Sequence, residues 1–564
     1  MEPSSPAEKP RLVEWIRNFL SWEPRWVVEP DASSIERTVK QVPEFAESDK
    51  ISLEFLAQGA FNKIWTVTKE SSREQAIMRV TLPVDPMRKT SSEVATLRWL
   101  LVNATLPVPR VLAFDVGTDN AIGFEWILMS KVEGNSLRSA WRETSLDAKI
   151  ELAKRLADFC SDAFSKQLKG IGSIYLQDSV SPNDRSQEQM IPETACSVAS
   201  SSDAEFQIRE MVAREFVWQD RAFQHLDRGP FICTKDWMLA RLSVAELACK
   251  ERLDFLHTKR TQKENNDKSQ IERGYDLGDV NENEESAVDA MVPADSEPDL
   301  AEKNDALSDP EARDASVDLI DASNDNGGDI NEERAQQKQE SKGEEQQQKD
   351  NEHMNDKGDN DAENDAEYED DKDEDDDDDD DLEDDIEECE MTLALCSRLR
   401  PKLTQALSTM SGDIESTMLW HDDLTASNTM VDERGRLTGV VDWECVSCLP
   451  VWYACQYPSV LRGVDREEAP DVEIYGKTDD GQVENELYWE NLEDFELTKM
   501  RHAFLERMTQ VQPEWVKTFK SNDWLHEWDM AVSAVDDTLW MKRLGEWMLD
   551  MEAGVEPLIP LADR

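Results

Sequence analysis

The chain has 564 residues and a formal net charge of -62 at pH 7, of which -41 lies between residues 261 and 390. The remaining residues carry only -21 and are numerous enough for roughly two to four domains or one large bilobal domain. Neither part has the clustered Lys and Arg that neutralise phosphates, which argues against a nucleic-acid partner.

The cysteines and the first residues indicate the compartment. Nine cysteines, an odd number, are scattered along the chain, and the first residues have no basic stretch followed by an apolar run. We therefore expect reduced thiols and no signal peptide. No stretch approaches the roughly 18 to 20 uncharged apolar residues that cross a bilayer. These features predict no membrane partner and a cytoplasmic location, with a nuclear location left open.

The first third of the chain predicts a small antiparallel sheet with one helix. Apolar runs separated by turn residues indicate five strands, and Gly59 lies in the turn between the first two. Residues 90–93 fit a capping box at the start of a helix whose apolar residues share one face. The predicted strands are residues 53–58, 64–68, 75–80, 108–114 and 124–129.

Beyond Gly134 the apolar periodicity becomes helical, and an acidic insert follows. The insert, residues 261–390, contains no Trp or Phe, so it cannot bury enough apolar surface to offset its chain entropy and is predicted to be disordered. We interpret it as a solvated surface insertion. Contact with basic proteins such as histones and autoinhibition by mimicry of a polyanion are the alternatives. The predicted helical segments are residues 147–164, 205–218, 237–255 and 391–407.

A polar cluster is predicted at the base of a short hairpin, residues 429–441. Asn428 immediately precedes the first hairpin strand and Asp442 immediately follows the second. Because a hairpin brings its two ends together, these side chains should lie side by side. Asp423 comes a few residues earlier and is expected at the same edge.

This cluster has the composition that phosphoryl transfer from ATP requires. The reaction needs oxygen ligands for Mg²⁺ and a carboxylate that orients the attacking hydroxyl and accepts its proton. On that chemistry Asn428 and Asp442 are metal ligands, Asp423 is the base, and His421 braces the loop. Asp422 is expected to point to solvent. The alternative is that Asp and Asn at a hairpin edge serve turn formation alone.

At these positions the sequence resembles the aminoglycoside phosphotransferase family of the protein-kinase-like fold, in its fungal branch. The resemblance extends over about residues 53–461 and is most specific in the block from His421 to Glu444. It also rests on three N-terminal segments, namely the glycine turn at residues 57–63, residues 78–83 with 93–96, and residues 123–129.

The resemblance implies an α+β, bilobal fold with a small antiparallel-sheet N-lobe and a large helical C-lobe, interrupted by the disordered acidic insert. It implies ATP and Mg²⁺ as cofactors and transfer of the γ-phosphate to a hydroxyl of a small molecule. Asp423 would be the base, and Asn428 and Asp442 the magnesium ligands. The cofactor-binding residues that it implies are Gly59, Lys63, Arg79, Glu93, Glu125, Ile127 and Met129.

Each nucleotide-side residue has an expected role. Gly59 would cover the phosphates, and the segment from Glu125 to Met129 would be the hinge that holds the adenine. Arg79 stands where the wider fold has a lysine, and Glu93 would be its helix partner or would serve only its own capping box. Lys63 would reach the phosphates or be a solvated strand residue. Because arginine changes the geometry, a catalytically impaired pseudokinase or nucleotide-binding module, with the acidic tract as an interaction tail, is the alternative function.

Six segments are predicted along the chain. The last one has six tryptophans, most of which are expected in the core. The segments are a partly helical N-terminal extension (1–50), an N-lobe with glycine turn and hinge (51–132), the first C-lobe helices (133–260), the acidic insert (261–390), the catalytic loop and metal-binding hairpin (391–460), and tryptophan-rich C-terminal helices (461–564).

Overall fold

The computed structural model describes residues 12–17, 22–46, 50–177, 206–275, 374–410, 413–476, 483, 485–521, 523–552 and 559–563. The chain divides into two compact units, one of Met1–Leu253 with Glu383–Arg564 and the other of Asp254–Leu382. The sheet, the hairpin and the predicted site residues all belong to the first unit.

The N-terminal extension forms a hairpin followed by two short helices, and it packs on the N-lobe. Trp15 contacts Phe61 and Trp218, with ring centroids 6.5 and 5.1 Å apart, and Phe61 lies 5.5 Å from Trp218. This aromatic triad joins the hairpin to the turn that contains Gly59. The elements are β1 (Val13–Arg17), β2 (Trp22–Trp26), α1 (Ala32–Val39) and α2 (Pro43–Ala46).

A five-stranded antiparallel sheet forms the N-lobe. Its strands are β3 (Ile51–Gln58), β4 (Asn62–Lys69), β5 (Gln75–Thr81), β6 (Val111–Asp115) and β7 (Glu125–Ser130). The spatial order is β3-β4-β5-β7-β6, so β7 lies inside the sheet and β6 at its edge. Branched and long apolar side chains such as Val67, Met78 and Leu128 are fully buried beneath it. The five predicted strands are confirmed with shifts of one to three residues at their ends.

Helix α3 (Arg88–Asn103) lies against β6 and β7 and begins before the predicted capping box. Met87 occupies the N-cap position with φ +67° and makes no side-chain cap. Instead, the Glu125 carboxylate accepts hydrogen bonds from the Met87 N–H, at 2.8 Å, and from the Thr90 hydroxyl. The capping-box prediction is wrong because the sheet supplies the cap that local sequence was expected to supply.

The C-lobe is helical, and its described residues also form one two-stranded and two three-stranded sheets of short strands. The strands are β8 (Asn135–Ser136), β9 (Leu168–Lys169), β10 (Ser173–Leu176), β11 (Phe206–Arg209), β12 (Ser416–Trp420), β13 (Thr429–Val431), β14 (Leu437–Val440) and β15 (Ser447–Pro450). The helices are α4 (Leu137–Ala140), α5 (Leu146–Ser165), α6 (Arg214–Val217), α7 (Thr234–Tyr275), α8 (Glu374–Ala406), α9 (Val451–Ala454), α10 (Val472–Tyr475), α11 (Glu486–Val511), α12 (Pro513–Phe519), α13 (Asp523–Ser533) and α14 (Thr538–Glu552).

Most C-terminal tryptophans belong to the core, as predicted. Trp515 and Trp547 are almost completely buried, and Trp528 and Trp540 are 8% exposed. Trp524 is the exception among these, with 47% of its surface exposed.

The helix predicted over residues 205–218 is wrong for most of its length. Residues 206–209 form β11, which pairs antiparallel with β10, and only Arg214–Val217 is helical before a 3₁₀ turn. The strand is stabilised by a partner about thirty residues earlier in the chain, which helical periodicity within the segment does not register.

The ends of the predicted disordered insert are helical. Helix α7 continues to Tyr275, and α8 begins at Glu374. In α8, Ile386 and Cys389 are buried three residues apart on one helical face, so packing extends this helix into the acidic sequence. Residues 276–373, on which most of the disorder prediction falls, lie outside the described residues.

The first unit has the predicted α+β, bilobal protein-kinase-like fold, with a small antiparallel N-lobe sheet and a helical C-lobe. The limits of the six predicted segments stay predictions. Across the described ranges, no helix combines the length and the apolar character that crossing a membrane requires.

Candidate active site

The hairpin places Asn428 and Asp442 side by side. Strands β13 and β14 pair antiparallel, and the Val441 N–H donates to the Asn428 carbonyl at 2.9 Å, just before Asp442. Buried strand β12, held between β15 and β9, delivers the preceding loop to the same edge. The three polar residues predicted to converge therefore do so.

Asp423 is oriented by its own loop. The Asn428 Nδ2 donates to both the Asp423 backbone carbonyl and its Oδ2, each at 2.9 Å. His421 accepts the Asp423 N–H at its Nδ1, at 3.2 Å, and lies with its ring 4.7 Å from that of Trp443. Burial lowers the pKa of His421 to about 3, so the imidazole is neutral and fits the expected bracing role. The Asp423 side chain remains 41% exposed and is open to a ligand.

Asp442 has a strained backbone and a charged environment. Its φ of +64° lies in the left-handed region that residues other than glycine rarely adopt. Its Oδ1 lies 3.4 Å from the Arg79 Nη1, and 35% of the side chain is exposed. Burial and the neighbouring Glu444 carboxylate raise the pKa of Asp442 to about 6, against the opposing effect of Arg79 and Lys89.

Arg79 occupies the position at which a lysine is usual in the fold. It lies on β5 and forms a buried ion pair with Glu93 of α3 while its other Nη atom faces Asp442. Both side chains are almost completely buried, at 6% and 2% exposure. Glu93 is thus the helix partner of Arg79, and the alternative that it serves its own capping box is contradicted.

Sequence reasoning missed a second buried ion pair. Lys89 of α3 pairs with Glu444, which also accepts a hydrogen bond from the Asn62 Nδ2 at 2.8 Å. Although burial opposes it, Lys89, Arg79 and Asn62 lower the pKa of Glu444 well below its usual range. The spacing of two residues between Asp442 and Glu444 is the signal that would have indicated this second carboxylate.

Lys63 contacts the N-terminal extension. Its ammonium pairs with Glu29 of the N-terminal extension and lies 5.1 Å from the Trp26 ring centroid. The side chain is only 8% exposed. The interpretation of Lys63 as a solvated strand residue is therefore wrong, because the extension supplies a carboxylate and an aromatic face that engage the ammonium. Its contact with phosphates stays a prediction.

The predicted hinge, Glu125 to Met129, is a strand inside the sheet. Its backbone is paired with β5 on one side and with β6 on the other, so those groups are committed to the sheet. Ile127 and Met129 are buried beneath it, and the Glu125 carboxylate caps α3. The hinge assignment is wrong for these residues, because their backbone is paired within the sheet, and residues 131–133 are the first beyond the paired strand.

Gly59 borders open space. A Cβ atom built on it would meet no atom within 4 Å, and its N–H donates to the Asn62 carbonyl at 2.9 Å in the turn between β3 and β4. Phe61, two residues later, is held by Trp15 and Trp218. The turn therefore has a fixed base and an open side.

Asp422 is exposed, as expected, and it accepts a hydrogen bond from the Trp420 Nε1. Partial exclusion of water by the surrounding protein raises the pKa of this carboxyl, while the Trp420 hydrogen bond and the charges of Arg462, Arg241 and Arg214 oppose that rise.

The oxygen atoms of Asn428 and Asp442 fit a magnesium ion. Because the Asn428 Nδ2 donates to Asp423, its amide oxygen is turned away from that carboxylate. Among the described residues, no three His, Cys, Asp or Glu side chains form a complete metal cage. Mg²⁺ is usually bound in proteins by one or two carboxylates together with substrate phosphates, and Asn428 and Asp442 would be the residues that hold it here.

Known proteins similar to this chain include one family, several fungal relatives and several solved structures. The sequence profile of the phosphotransferase enzyme family matches residues 52–236 and 343–453, together more than half of the chain. A subtelomeric hrmA-associated cluster protein of Aspergillus fumigatus is 32% identical over 177 residues, which cover 31% of this chain and 32% of that protein. The structure of the GDP complex of wild-type aminoglycoside 2'-phosphotransferase-IIIa is 10% identical, with a TM-score of 0.30, and covers 92% of this chain and 99% of that chain.

Two yeast relatives bear the name altered inheritance of mitochondria protein 9, mitochondrial. The Meyerozyma guilliermondii protein is 27% identical over 139 residues, and the Clavispora lusitaniae protein is 30% identical over 143 residues. Each alignment covers 24% of this chain and 23% of the relative. The chain thus spans a third or less of the curated relatives that it matches.

The mitochondrial names contradict the expected cytoplasmic location, which the cysteines, the first residues and the lack of a long apolar stretch had suggested. The fold and the arrangement of Asp423, Asn428 and Asp442 agree with the profile match. The extent of that match shows that this chain belongs to the phosphotransferase enzyme family.

Proposed function

We propose that this protein transfers the γ-phosphate of ATP to a hydroxyl group of a small molecule. The observation that carries the proposal is the convergence of Asp423, Asn428 and Asp442 at one hairpin edge, with the Arg79 Nη1 3.4 Å from the Asp442 Oδ1. In this arrangement an accessible carboxylate, two oxygen donors and a cation lie close together, which suits a reaction catalysed by positioning and charge neutralisation.

Asp423 would act as the base. In the transfer, the acceptor oxygen forms a bond to the γ-phosphorus while the bond from that phosphorus to the bridging oxygen of ADP breaks. The hydroxyl proton passes to the Asp423 carboxylate. The amide of Asn428 holds this carboxylate in place, and its 41% exposure leaves room for the acceptor.

Arg79 and the open side of the glycine turn would contact the nucleotide phosphates, and the backbone of residues 131–133 would receive the adenine. Asn428 and Asp442 would hold Mg²⁺, which neutralises phosphate charge when it is bound. The pairing of Arg79 with Glu93 keeps the guanidinium directed at Asp442.

The test is phosphate transfer by the full chain with Mg²⁺ and either ATP or GTP, measured over a panel of hydroxylated small molecules. Asp423→Asn should lower the rate about 10² to 10⁴-fold, because it removes the general base. Asp147→Asn, which makes the same change at an exposed position in the first turn of α5, should leave the rate unchanged. Equal rates for the wild type and Asp423→Asn would contradict the proposal.

A catalytically impaired nucleotide-binding protein is the second candidate, and Arg79 in place of lysine favours it. Such a protein would be stabilised by Mg²⁺ with ATP, because a ligand that binds only the folded state raises its stability. It would transfer no phosphate to any acceptor. A thermal shift without turnover would select this candidate, and a chain that shows no shift with either nucleotide would contradict both.

We also propose a mitochondrial location. The mitochondrial names of the yeast relatives support it. Fractionation of cells that express the full chain from its own locus should recover it with mitochondrial markers, and recovery in the cytosol alone would contradict this proposal.

A further inference from the structure

Arg214 lies next to the proposed base, although it belongs to a different part of the chain. It is the first residue of α6, and its Nη2 lies 3.7 Å from the Asp423 Oδ2. The Arg214 side chain is 57% exposed, so its guanidinium has solvent on several sides. An ion pair between two such exposed groups contributes little to stability, which leaves the presence of Arg214 unexplained by folding.

The helix that carries Arg214 is firmly anchored. Phe216 and Val217 are fully buried, and the Glu215 carboxylate accepts a hydrogen bond from the Arg241 Nε at 3.0 Å. Arg241 also pairs with Asp529 of α13, so α6 is tied to the C-terminal helices. The backbone of Arg214 is therefore fixed while its guanidinium is able to move over the length of the side chain.

The catalytic loop itself lacks a cation. Residues 421–428 contain no Lys or Arg. On the nucleotide side, Arg79 is buried against Glu93 and Lys89 is buried against Glu444. Phosphoryl transfer places negative charge on the equatorial oxygens between donor and acceptor, and that position is next to the base. Arg214 is an exposed cation beside this position.

We propose that Arg214 is a catalytic residue that contacts the transferred phosphoryl group from the acceptor side. This assignment rests on the proposed function. As the bond to ADP breaks and the acceptor oxygen bonds to phosphorus, the guanidinium donates to the equatorial oxygens, and the hydroxyl proton passes to Asp423. A planar guanidinium suits this role because it can bind two phosphoryl oxygens at once.

The test compares binding of two probes by calorimetry, namely Mg²⁺ with ADP and Mg²⁺ with ADP and aluminium fluoride. The fluoride complex occupies the place of the transferred phosphoryl group. In the wild type it should tighten binding relative to ADP alone. In Arg214→Ala the gain in affinity from aluminium fluoride should be at least about tenfold smaller than in the wild type. The affinity of this variant for ADP alone and its thermal stability should stay the same. Arg214→Lys should retain part of the gain.

The control is Arg507→Ala, which removes another partly exposed arginine with one carboxylate partner, Asp158. It should leave the fluoride gain intact. With an acceptor or water, Arg214→Ala should lower kcat by about 10³-fold with little change in the KM for ATP, and added guanidinium should restore part of the rate. A merely structural arginine would not be replaced by a free guanidinium ion.

Two results would overturn the assignment in distinguishable ways. If Arg214→Ala binds ADP and keeps the full fluoride gain, or turns over faster than the wild type, the phosphotransfer proposal stands and Arg214 only pairs with the base. If the wild type binds neither probe, the proposed function fails and the assignment fails with it.

Discussion

Asp442 has two features that a stable fold alone would not select. It combines a left-handed backbone conformation with a carboxylate placed beside Glu444. Each feature raises the free energy of the folded state, and both are usual at functional sites, where the surrounding structure holds a strained group in place. The hairpin ladder and the Arg79 guanidinium hold Asp442 in this position.

Replacing Asp442 with Asn should stabilise the ligand-free protein at pH 7. The pKa of Asp442 is raised from 3.8 in the unfolded chain to about 6 in the folded protein. The carboxyl therefore contributes to the stability of the folded state below about pH 4, and this contribution is lost as the pH rises through about 6. Because a third of the side chain is exposed, we expect a gain of ~1 kcal/mol rather than the ~3 kcal/mol of an unscreened group. Chemical denaturation at pH 4 and pH 7 measures it.

Asp432→Asn, in the turn of the same hairpin, is the control with the opposite sign. Hydrogen bonds from the Arg436 side chain and backbone lower the pKa of Asp432 to about 2. Its contribution to stability is therefore present above the unfolded pKa and lost as the pH falls toward 2, so this variant should be less stable at pH 7.

If Asp442→Asn instead destabilises the protein at pH 7, the attraction of Asp442 to Arg79 outweighs its repulsion by Glu444.

At the scale of elements, the start of helix α3 is held by a side chain of β7. The Glu125 carboxylate accepts hydrogen bonds from Met87 and Thr90, and the helix that it caps carries both Lys89 and Glu93 into the site. A displacement of this helix end would move the partners of Arg79 and Glu444 together.

Glu125→Ala should destabilise the protein by about 1–3 kcal/mol, because it leaves the Met87 N–H and the Thr90 hydroxyl without their buried acceptor. Glu125→Gln keeps one acceptor oxygen and should lose much less. Urea denaturation of both variants measures the difference, and Mg²⁺ with ATP should stabilise Glu125→Ala less than Glu125→Gln. Wild-type stability of Glu125→Ala would show that the cap is unimportant.

Local patterns predicted the elements of the site but not their partners. The hairpin and the meeting of Asn428 with Asp442 were predictable because a short turn determines which residues face each other. Lys63 and Glu93 were misinterpreted or left ambiguous because their partners, Glu29 and Arg79, come from other elements. Strand β11 was missed for the same reason, since its hydrogen bonds go to β10.

The hinge error has a different origin. The resemblance placed the nucleotide-binding segment at Glu125 to Met129, before the pairing of these residues was known. In the structure β7 has a strand on each side, and its side chains are buried beneath the sheet. Its backbone groups are therefore committed to strand pairing.

At the scale of the whole molecule, the site is assembled from two distant stretches of one compact unit. Arg79, Glu93 and Arg214 precede the acidic sequence, whereas Asp423 and Asp442 follow it. All of these belong to the unit formed by Met1–Leu253 and Glu383–Arg564.

Replacement of residues 276–373 with a flexible Gly/Ser linker should therefore leave nucleotide binding unchanged. The entropy of closing a loop grows only logarithmically with its length, so the free energy of unfolding should stay within about 1–2 kcal/mol of the wild type. The shift of the melting temperature by Mg²⁺ with ATP checks both points. Loss of this shift in a folded variant would show that the acidic sequence contributes to the site.

The aromatic triad of Trp15, Phe61 and Trp218 gives a reason for the single glycine in the turn. A turn with several glycines is mobile when empty and loses conformational entropy when it closes over phosphates. Here the rings of Trp15 and Trp218 hold Phe61 in the folded chain, so most of that ordering is complete before any ligand arrives. The turn is thus preorganised, and under the proposed function any affinity for phosphates would depend on this rigidity and not on the closing of a flexible loop.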